Sequence, residues 1–405
     1  MSAVPDHGGV GSRPVSTGDT RRSRVQTHTV RPSRVQDGLR RAVMRRLEGS
    51  GVTLDGRRPW DLQVHDPRFF ARTLAFGSLG FGEAYVDGWW DSDDLAGCLE
   101  RLVRHRADGR TAALTRALLA ARHRFLNVQL GAGSWAVGRR HYDLGDDLFE
   151  SMLGERLVYS CAYWADADDL DAAQVAKLDL VCRKLELWPG MRVLDIGCGW
   201  GEALKFAAER YGVSGVGVTV SRRQAETARR VCAGLPIEIR LADYRTVDER
   251  FDRVFSIGMF EHVGPRNHAT FFDVVARCLD PAGLALLHTI GTQTGRRVPD
   301  PWIERHIFPN SVIPRLDDVV TALQPHFSIE DLHNFGLDYV RTLEAWRARF
   351  DDAWPRLEPR YGARFRRVWQ YYLAAAIAGF RARRNHLWQF VLSRHGRNCA
   401  YRSQR

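Results

Sequence analysis

The sequence is poor in lysine, in paired cysteines and in long apolar runs. Only Lys177, Lys184 and Lys205 are lysines among 59 basic residues. The seven cysteines are scattered without a CxxC pair, which disfavours a zinc site or a disulfide scaffold and favours reduced thiols in the cytosol. The apolar run at 373–380 is too short to span a bilayer, and no apolar secretory signal is visible at the N-terminus.

What the chain has in excess is arginine, which gives a formal net charge of +11. A positive balance attracts a protein to anionic phospholipid or to nucleic acid. No nucleic-acid-binding motif accompanies the charge, so nucleic acid is not an expected partner.

Composition divides the chain into three parts. Residues 1–35 are rich in Gly, Ser, Thr, Pro and Arg and are expected to form a disordered basic tail, or else an electrostatic arm that touches membrane. Residues 36–130 are expected to form a small, mainly helical domain, with helical spacing at 36–47 and 95–103. Its glycine- and aromatic-rich segment 79–90, which ends in Trp89 and Trp90, indicates either domain packing or a lipid-contacting platform.

The remaining part, residues 131–405, becomes a strand–helix alternation from about residue 185. Strands are expected at 192–196, 215–219, 237–241, 253–257, 284–290 and 387–393. Helices are expected at 203–211, 222–233 and 269–279. This alternation predicts a parallel sheet covered on both faces, with ligands bound beyond the carboxyl ends of its strands.

The first expected strand runs into a glycine-rich turn, Val193-Leu-Asp-Ile-Gly-Cys-Gly-Trp-Gly201. Asp195 ends the strand, and Gly197, Gly199 and Gly201 let the backbone approach a ligand closely. The spacing is not the G-x-G-x-x-G of dinucleotide sites, and no Walker lysine follows. It is the first motif of methyltransferases that use S-adenosylmethionine (SAM).

Later strand ends supply the other groups that a SAM site needs. Thr219 and Gln224 follow the second strand and can hydrogen-bond the ribose without charge. Asp243 follows the third strand and can accept from the adenine amino group, while Tyr244 can pack on the ring. Each alone could be a turn or core residue, but their order after the first motif indicates SAM binding.

Several further motifs carry a family resemblance. They are Pro59-Trp-Asp-Leu-Gln-Val-His65, His141-Tyr-Asp-Leu-Gly, Tyr159-Ser-Cys-Ala-Tyr-Trp164, Gly258-Met-Phe-Glu-His-Val-Gly264, Leu287-His-Thr-Ile290, Asn334-Phe-Gly-Leu-Asp-Tyr339 and Phe380-Arg-Ala-Arg. From about residue 56 to 395 the chain closely resembles bacterial cyclopropane-fatty-acyl-phospholipid synthases. The related mycolic acid methyltransferases share the central motifs but lack the N-terminal domain.

The resemblance implies an α/β, Rossmann-like SAM-dependent methyltransferase fold with a mostly parallel seven-stranded sheet at 131–405, and a lipid-binding domain at 36–130. It also implies the chemistry. The alkene of an acyl chain attacks the SAM methyl group, a carbocation forms, and a bound bicarbonate removes a proton so that the ring closes. Tyr159 and Ser160 would lie against SAM. The bicarbonate would be held by Cys161, Glu261, His288, Tyr339 and the backbone of Ile290.

General chemistry agrees with these assignments. A carbocation must be protected from water, and neutral thiol, hydroxyl and imidazole donors suit a small anion. Other interpretations stay open: Cys161 as a core thiol or a covalent nucleophile, and His288 as a core histidine. The neighbouring His262 is expected to be structural.

Two positions depart from the family pattern. Glu202 stands where a small residue is usual, and Asp146 stands where Asn is common. Three alternative functions stay open: a methyltransferase that leaves methyl- or methylene-branched chains, a mycolic-type or small-molecule methyltransferase, and a SAM-binding protein without activity.

The expected substrate partner is unsaturated phospholipid, met by a cytoplasmic protein at the inner face of the cell membrane, and a homodimer is possible. The aromatic segment around Trp89 and Trp90 is one expected contact. The other is an arginine-rich region: Arg364, Arg366, Arg367, Arg381, Arg383 and Arg384.

Overall fold

The N-terminal part of the protein is a small helical unit. The computed structural model describes residues 34–105, 145–293, 300–398 and 400–405. The unit contains α1 (Arg34–Leu47), α2 (Arg68–Phe76), α3 (Ser78–Val86) and α4 (Leu95–His105), with an antiparallel ribbon of β1 (Gln63–Val64) and β2 (Trp90–Asp91). Most of the predicted tail and the predicted boundary near residue 130 lie outside the described residues.

A seven-stranded sheet forms the centre of the rest of the chain. Its strands are β3 (Arg192–Ile196), β4 (Ser214–Thr219), β5 (Ile237–Leu241), β6 (Phe251–Ile257), β7 (Leu279–Gly291), β8 (Phe327–Asn334) and β9 (His386–Arg394). They lie in the order β5-β4-β3-β6-β7-β9-β8. Only β9 runs against its neighbours, β7 and β8, so the predicted mostly parallel sheet is confirmed.

The described residues of this part of the chain also form eight helices. They are α5 (Asp146–Leu153), α6 (Leu170–Lys184), α7 (Glu202–Tyr211), α8 (Arg222–Val231), α9 (His268–Cys278), α10 (Pro301–His306), α11 (Leu316–Leu323) and α12 (Asp338–Arg381). Side-chain caps begin several of them: Asp169 accepts from the Ala172 N–H, and Ser221 accepts from the Gln224 N–H. Helix α12 is kinked at Gly362, whose φ of 72° is not helical.

Both faces of the sheet are covered, as predicted. Val193 of β3 packs into a core that contains Leu204 of α7, whereas its neighbour Leu194 packs into a core that contains Phe271 of α9. Successive strand side chains point to opposite faces, so the two cores lie on opposite sides of the sheet. A third core joins helices α1–α4 to α5 and α12.

The predicted elements are found, but several others were not predicted, among them β8 and α12. Strand β8 reads Phe-Ser-Ile-Glu-Asp-Leu-His-Asn and lies at the edge of the sheet, with Ile329 and Leu332 each 40% exposed. An edge strand needs no continuous apolar run, so periodicity did not reveal it. Strand β7 begins at Leu279, five residues before the predicted start. Its first residues were missed because Pro281 and Ala282 are exposed and interrupt the apolar pattern.

The aromatic segment of the helical unit serves packing. Trp90 is fully buried, its Nε1 donates to the Phe81 carbonyl oxygen at 3.0 Å, and its ring lies against Phe81 and Tyr85. Trp89 is half-buried beneath the guanidinium of Arg68. The interpretation of this segment as a lipid-contacting platform is therefore wrong for Trp90.

Most of the arginine-rich region is engaged in ion pairs. Arg364 pairs with Asp87, Arg366 with Asp351, Arg367 with Asp91, and Arg381 with Glu344. Two of these acids belong to the helical unit, so those pairs fasten it to α12. Arg383 and Arg384 are exposed and have no ion pair within the described residues, whereas Arg364 is exposed but paired. Within the described ranges, no helix has the length and apolarity to cross a bilayer.

Candidate active site

A cavity of about 180 Å³ lies at the carboxyl ends of β3, β4, β5 and β6. It contains every residue expected to contact SAM except Gly201: Tyr159, Ser160, Asp195, Gly197, Gly199, Thr219, Gln224, Asp243 and Tyr244. We call it the cofactor cavity. The chain reaches it from four separate strand ends, as the strand–helix alternation predicted.

The three glycines of the turn have different roles. Gly197 has a φ of +87°, and a Cβ there would lie 2.5 Å from Met259 Cγ. Gly201 does not line the cavity, although its neighbours Trp200 and Glu202 do, so its contact with the cofactor stays a prediction. A Cβ on Gly201 would lie 3.1 Å from Ala228 Cβ and from Cys232 Sγ, so this glycine allows α7 and α8 to pack closely.

The side chains expected to hold the ribose already bond to each other. Thr219 Oγ1 donates to Gln224 Oε1 at 3.0 Å, which leaves the Gln224 amide hydrogens for a ligand. Asp243 is held by Arg245, whose Nε lies 2.8 Å from Asp243 Oδ1. Tyr244 packs against Phe271 and forms part of the cavity wall.

A buried lysine in the cofactor cavity was missed from the sequence. Lys177 of α6 has no solvent exposure, and its Nζ donates to Ser160 Oγ at 3.0 Å. It lines the cavity together with Asp195, whose Oδ1 has no hydrogen-bond partner within the described part of the chain. Burial lowers the pKa of Lys177 and raises the pKa of Asp195, and each favours the charged form of the other. The signal in the sequence that could have pointed to Lys177 is that it is one of only three lysines.

A second cavity, of about 400 Å³, lies between the helical unit and the sheet-containing part. Leu47, Phe69 and Leu99 of the helical unit form one wall, while Tyr339 and Tyr371 of α12 belong to the other. Most of its surface is apolar, as an acyl chain requires. We call it the acyl cavity.

The two cavities meet. Tyr159, Gly258 and His262 line both of them. The Tyr159 hydroxyl lies 2.9 Å from the hydroxyl of Tyr372, another residue of the acyl cavity. A group bound at the strand ends can therefore face a chain bound between the domains.

The predicted catalytic residues divide into two groups at this junction. Glu261, Ile290 and Tyr339 line the acyl cavity. Cys161 and His288 line neither cavity and lie behind the wall, with Cys161 wholly buried and His288 1% exposed.

Glu261 is held by the backbone. Its Oε1 accepts from the Ile290 N–H at 2.6 Å, while its buried Oε2 has no hydrogen-bond partner among the residues described. Burial raises the pKa of Glu261 to about 7, against the lowering effect of its backbone hydrogen bonds. The side chain is thus poised to exchange a proton near neutral pH.

His288 is a neutral donor aimed from β7. Gln389 Nε2 lies 3.2 Å from His288 Nδ1, and with Gln389 as donor the ring proton resides on Nε2. That Nε2 is buried and has no partner in the described ranges. Burial lowers the pKa of His288 well below its ordinary value, and Lys177 and Lys184 lower it further.

Cys161 is a protonated thiol. Its Sγ donates to the Ala162 carbonyl oxygen at 3.1 Å, and burial raises its pKa well above the ordinary value. A thiolate nucleophile needs the opposite shift, so the environment disfavours covalent catalysis by Cys161.

His262 was expected to be structural, yet it lies at the junction of the cavities. Its Nδ1 has no hydrogen-bond partner among the described residues, and burial lowers its pKa to about 4.

Of the two departures from the family pattern, Glu202 lines the cofactor cavity and pairs with Arg156, with Nη1 and Oε2 3.3 Å apart. Asp146 pairs with Arg223 at 2.9 Å, away from both cavities.

The sheet order, the glycine turn and the cavity at the strand ends define a SAM-dependent methyltransferase. A family model described as mycolic acid cyclopropane synthetase matches residues 132–390. The chain belongs to this family.

Known relatives extend the similarity over both parts of the chain. The sequence is 48% identical over 357 residues to the cyclopropane-fatty-acyl-phospholipid synthase of Escherichia coli strain K12, covering 86% of this chain and 91% of that protein. It is 33% identical over 371 residues to the tuberculostearic acid methyltransferase UfaA1 of Mycobacterium tuberculosis, covering 84% and 85%. The solved mycolic acid cyclopropane synthase CmaA1, complexed with SAH and CTAB, is 32% identical with a TM-score of 0.59, covering 64% of this chain and 97% of that one.

Proposed function

We propose that this protein transfers a methylene group from SAM to the cis double bond of unsaturated acyl chains in membrane phospholipid, forming a cyclopropane ring. The observation that carries the proposal is the junction of a cofactor cavity with an apolar cavity at Tyr159, Gly258 and His262. The similarity to the Escherichia coli synthase, which includes the helical unit, supports phospholipid as the substrate class.

The cofactor cavity fits SAM. Asp195 Oδ1 and the Gln224 amide are polar groups available for the cofactor, and Gly197 lies where a Cβ would meet Met259. Tyr159, Ser160, Asp243 and Tyr244 complete the wall, with Thr219 and Gly199 at the strand ends. SAM supplies the methyl carbon that becomes the ring methylene.

The acyl cavity provides the dry environment that the reaction needs. An alkene is a weak nucleophile, and its attack leaves a carbocation that water would destroy. The aromatic rings of Tyr159, Phe308, Tyr339 and Tyr372 line this cavity. Each ring face can stabilise a desolvated cation by about 2 kcal/mol.

The groups beside the junction fit a small anion such as bicarbonate. Glu261 Oε2 and His288 Nε2 are buried polar atoms without partners among the described residues. The Cys161 thiol is protonated and donates to the Ala162 carbonyl oxygen, so it would have to turn from that oxygen to donate to the anion. A bound bicarbonate would supply the proton acceptor for ring closure. Tyr339 lines the same cavity. The Ile290 N–H is already used by Glu261, so we infer that this amide acts by orienting Glu261.

A second candidate function is methyl or methylene branching of the same acyl chain. The similarity to UfaA1, a methyltransferase that matches this chain over most of both lengths, supports this second candidate. The two functions share the methyl transfer and differ in which proton the base removes afterwards. The cyclopropane reaction is preferred because the relative with 48% identity is named for it.

Access to phospholipid requires contact with a membrane surface, and we propose a peripheral association. The net charge of +11 favours anionic lipid, so salt should weaken vesicle binding.

The test measures S-adenosylhomocysteine released by the purified protein with vesicles of monounsaturated or fully saturated phosphatidylglycerol. Release should occur only with the unsaturated lipid. Each mole of S-adenosylhomocysteine released should match the loss of one mole of acyl double bonds, measured from the vinyl protons. Equal release with saturated lipid would point to methylation of the headgroup and contradict the proposal.

A further inference from the structure

The acyl cavity is apolar, yet it contains two arginines without acidic partners. Arg46 lies in the last turn of α1 and is half-buried, and Arg384 follows α12 and is exposed. Within the described ranges, neither guanidinium has an ion pair or hydrogen bond, although the Arg384 carbonyl oxygen accepts from Thr292 Oγ1.

Neighbouring arginines behave differently. Arg364, Arg367 and Arg381 of α12 are each paired with a carboxylate. None of these three lines the acyl cavity. The two cavity arginines are therefore not part of the ion pairs that fasten the helical unit, and no carboxylate in the described part of the chain neutralises their charge.

The segments that carry the two arginines both approach the C-terminal turn of α4, and a Cβ on Gly49, three residues after Arg46, would lie 3.2 Å from His105 Cε1. Arg46 lines the cavity together with Leu102 and Val103 of that turn. On the other side, Arg104 Nη2 donates to the Arg381 carbonyl oxygen at 2.7 Å, three residues before Arg384. The end of α1 and the end of α12 thus approach the same helix end.

We propose that Arg46 and Arg384 bind the phosphodiester of a phospholipid whose acyl chain occupies the acyl cavity. This inference rests on the proposed function. Guanidinium groups form paired, charge-assisted hydrogen bonds with phosphate oxygens. Because Glu261 lines the same cavity, one lipid can place its phosphate at the arginines and its chain beside the junction. A neutral lipid has no group that complements this charge.

The test compares Arg46→Gln and Arg384→Gln with Arg45→Gln. Arg45 is exposed, lies beside Arg46 in the same turn and does not line the cavity, so its substitution removes the same charge. Turnover is measured on monounsaturated phosphatidylglycerol and on diacylglycerol with the same chains, both in mixed micelles of a neutral detergent. Each cavity variant should raise KM for phosphatidylglycerol about tenfold and leave diacylglycerol turnover unchanged. Arg45→Gln should change neither.

Equal losses on both lipids, or equal losses for Arg45→Gln, would overturn the assignment. If the unaltered protein turns over neither lipid, the proposed function fails, and binding decides the inference separately. Calorimetry with short-chain phosphatidylglycerol should then show about tenfold weaker binding for the two cavity variants alone. Unchanged affinity, or complete displacement by inorganic phosphate, would contradict a phospholipid site.

Discussion

The cofactor cavity and the acyl cavity are built in different ways. The first is assembled from the ends of neighbouring strands: Asp195 and Thr219 lie in the last residues of β3 and β4, and Asp243 follows β5. The second is assembled from helices far apart in the chain, with Leu47 of α1 facing Tyr371 of α12. Local sequence therefore specifies one half of the site, and domain packing specifies the other.

Glu261 offers the strongest test of whether the cofactor cavity and the acyl cavity act separately. Glu261→Gln keeps an oxygen for the Ile290 N–H but removes the carboxylate from the acyl cavity. We expect cyclopropane formation to fall at least about 100-fold, as for loss of a proton-transfer group. SAM affinity, measured by calorimetry, should not change, because Glu261 does not line the cofactor cavity. An equal loss of SAM affinity would show that the halves are not separate.

The same carboxyl should control the pH dependence. Burial raises the pKa of Glu261 to about 7, so the carboxylate that would take the proton on from bicarbonate is lost below that pH. Lipid kcat/KM should fall about tenfold per pH unit below 7 and level off above it, with the bicarbonate ion concentration held fixed. Glu261→Gln should flatten the profile. A Glu261→Gln profile identical in shape to that of the unaltered protein would assign the titration elsewhere.

Lys177→Met tests the cofactor half. Removing the buried ammonium takes away the donor to Ser160 Oγ and leaves Asp195 without its nearby positive charge. We expect SAM to bind about tenfold more weakly. The matched control is Lys184→Met, which removes another buried lysine, paired with Asp331 of β8 and outside both cavities. Both variants should lower Tm, but SAM affinity should change only for Lys177→Met. Equal affinities in the two would refute this role.

The smallest expected effect concerns the wall of the acyl cavity. A Cβ on Gly82 of α3 would lie 2.5 Å from Trp302 Cδ1, at the contact between the helical unit and α10. Gly82→Ala should cost about 1–3 kcal/mol of stability and raise KM for lipid severalfold without changing SAM affinity. Gly38→Ala is the control, since a Cβ there would meet no atom of the described residues within 4 Å. A neutral Gly82→Ala would mean that this contact does not shape the cavity.

These differences explain what the sequence could reveal. The cofactor residues follow strands whose hydrophobic pattern is strong, so Asp195, Thr219, Gln224 and Asp243 were predicted and lie in one cavity. Gly201 packs against α8 and does not line the cavity, and spacing alone cannot separate a glycine that meets a ligand from one that meets a helix.

The acyl cavity was less accessible to such reasoning. Glu261, Ile290 and Tyr339 were identified only through family resemblance, and Lys177 and His262 were missed as cavity residues. The partners of Trp90 and of the α12 arginines come from distant segments, so composition favoured membrane contact where packing and ion pairing are found. Contacts between residues so far apart in the chain leave no pattern in the local sequence.

The central claim is that a carbon carried in one cavity reaches a double bond held in the other and closes a ring. The most direct measurement uses SAM labelled with ¹³C in the methyl group, monounsaturated phosphatidylglycerol vesicles, and ¹³C and proton NMR of the extracted acyl chains. The account predicts label in an upfield ring methylene, with matching loss of vinyl protons. Label in a methyl branch or an exocyclic methylene would contradict cyclopropane formation and assign the protein to the branching reaction.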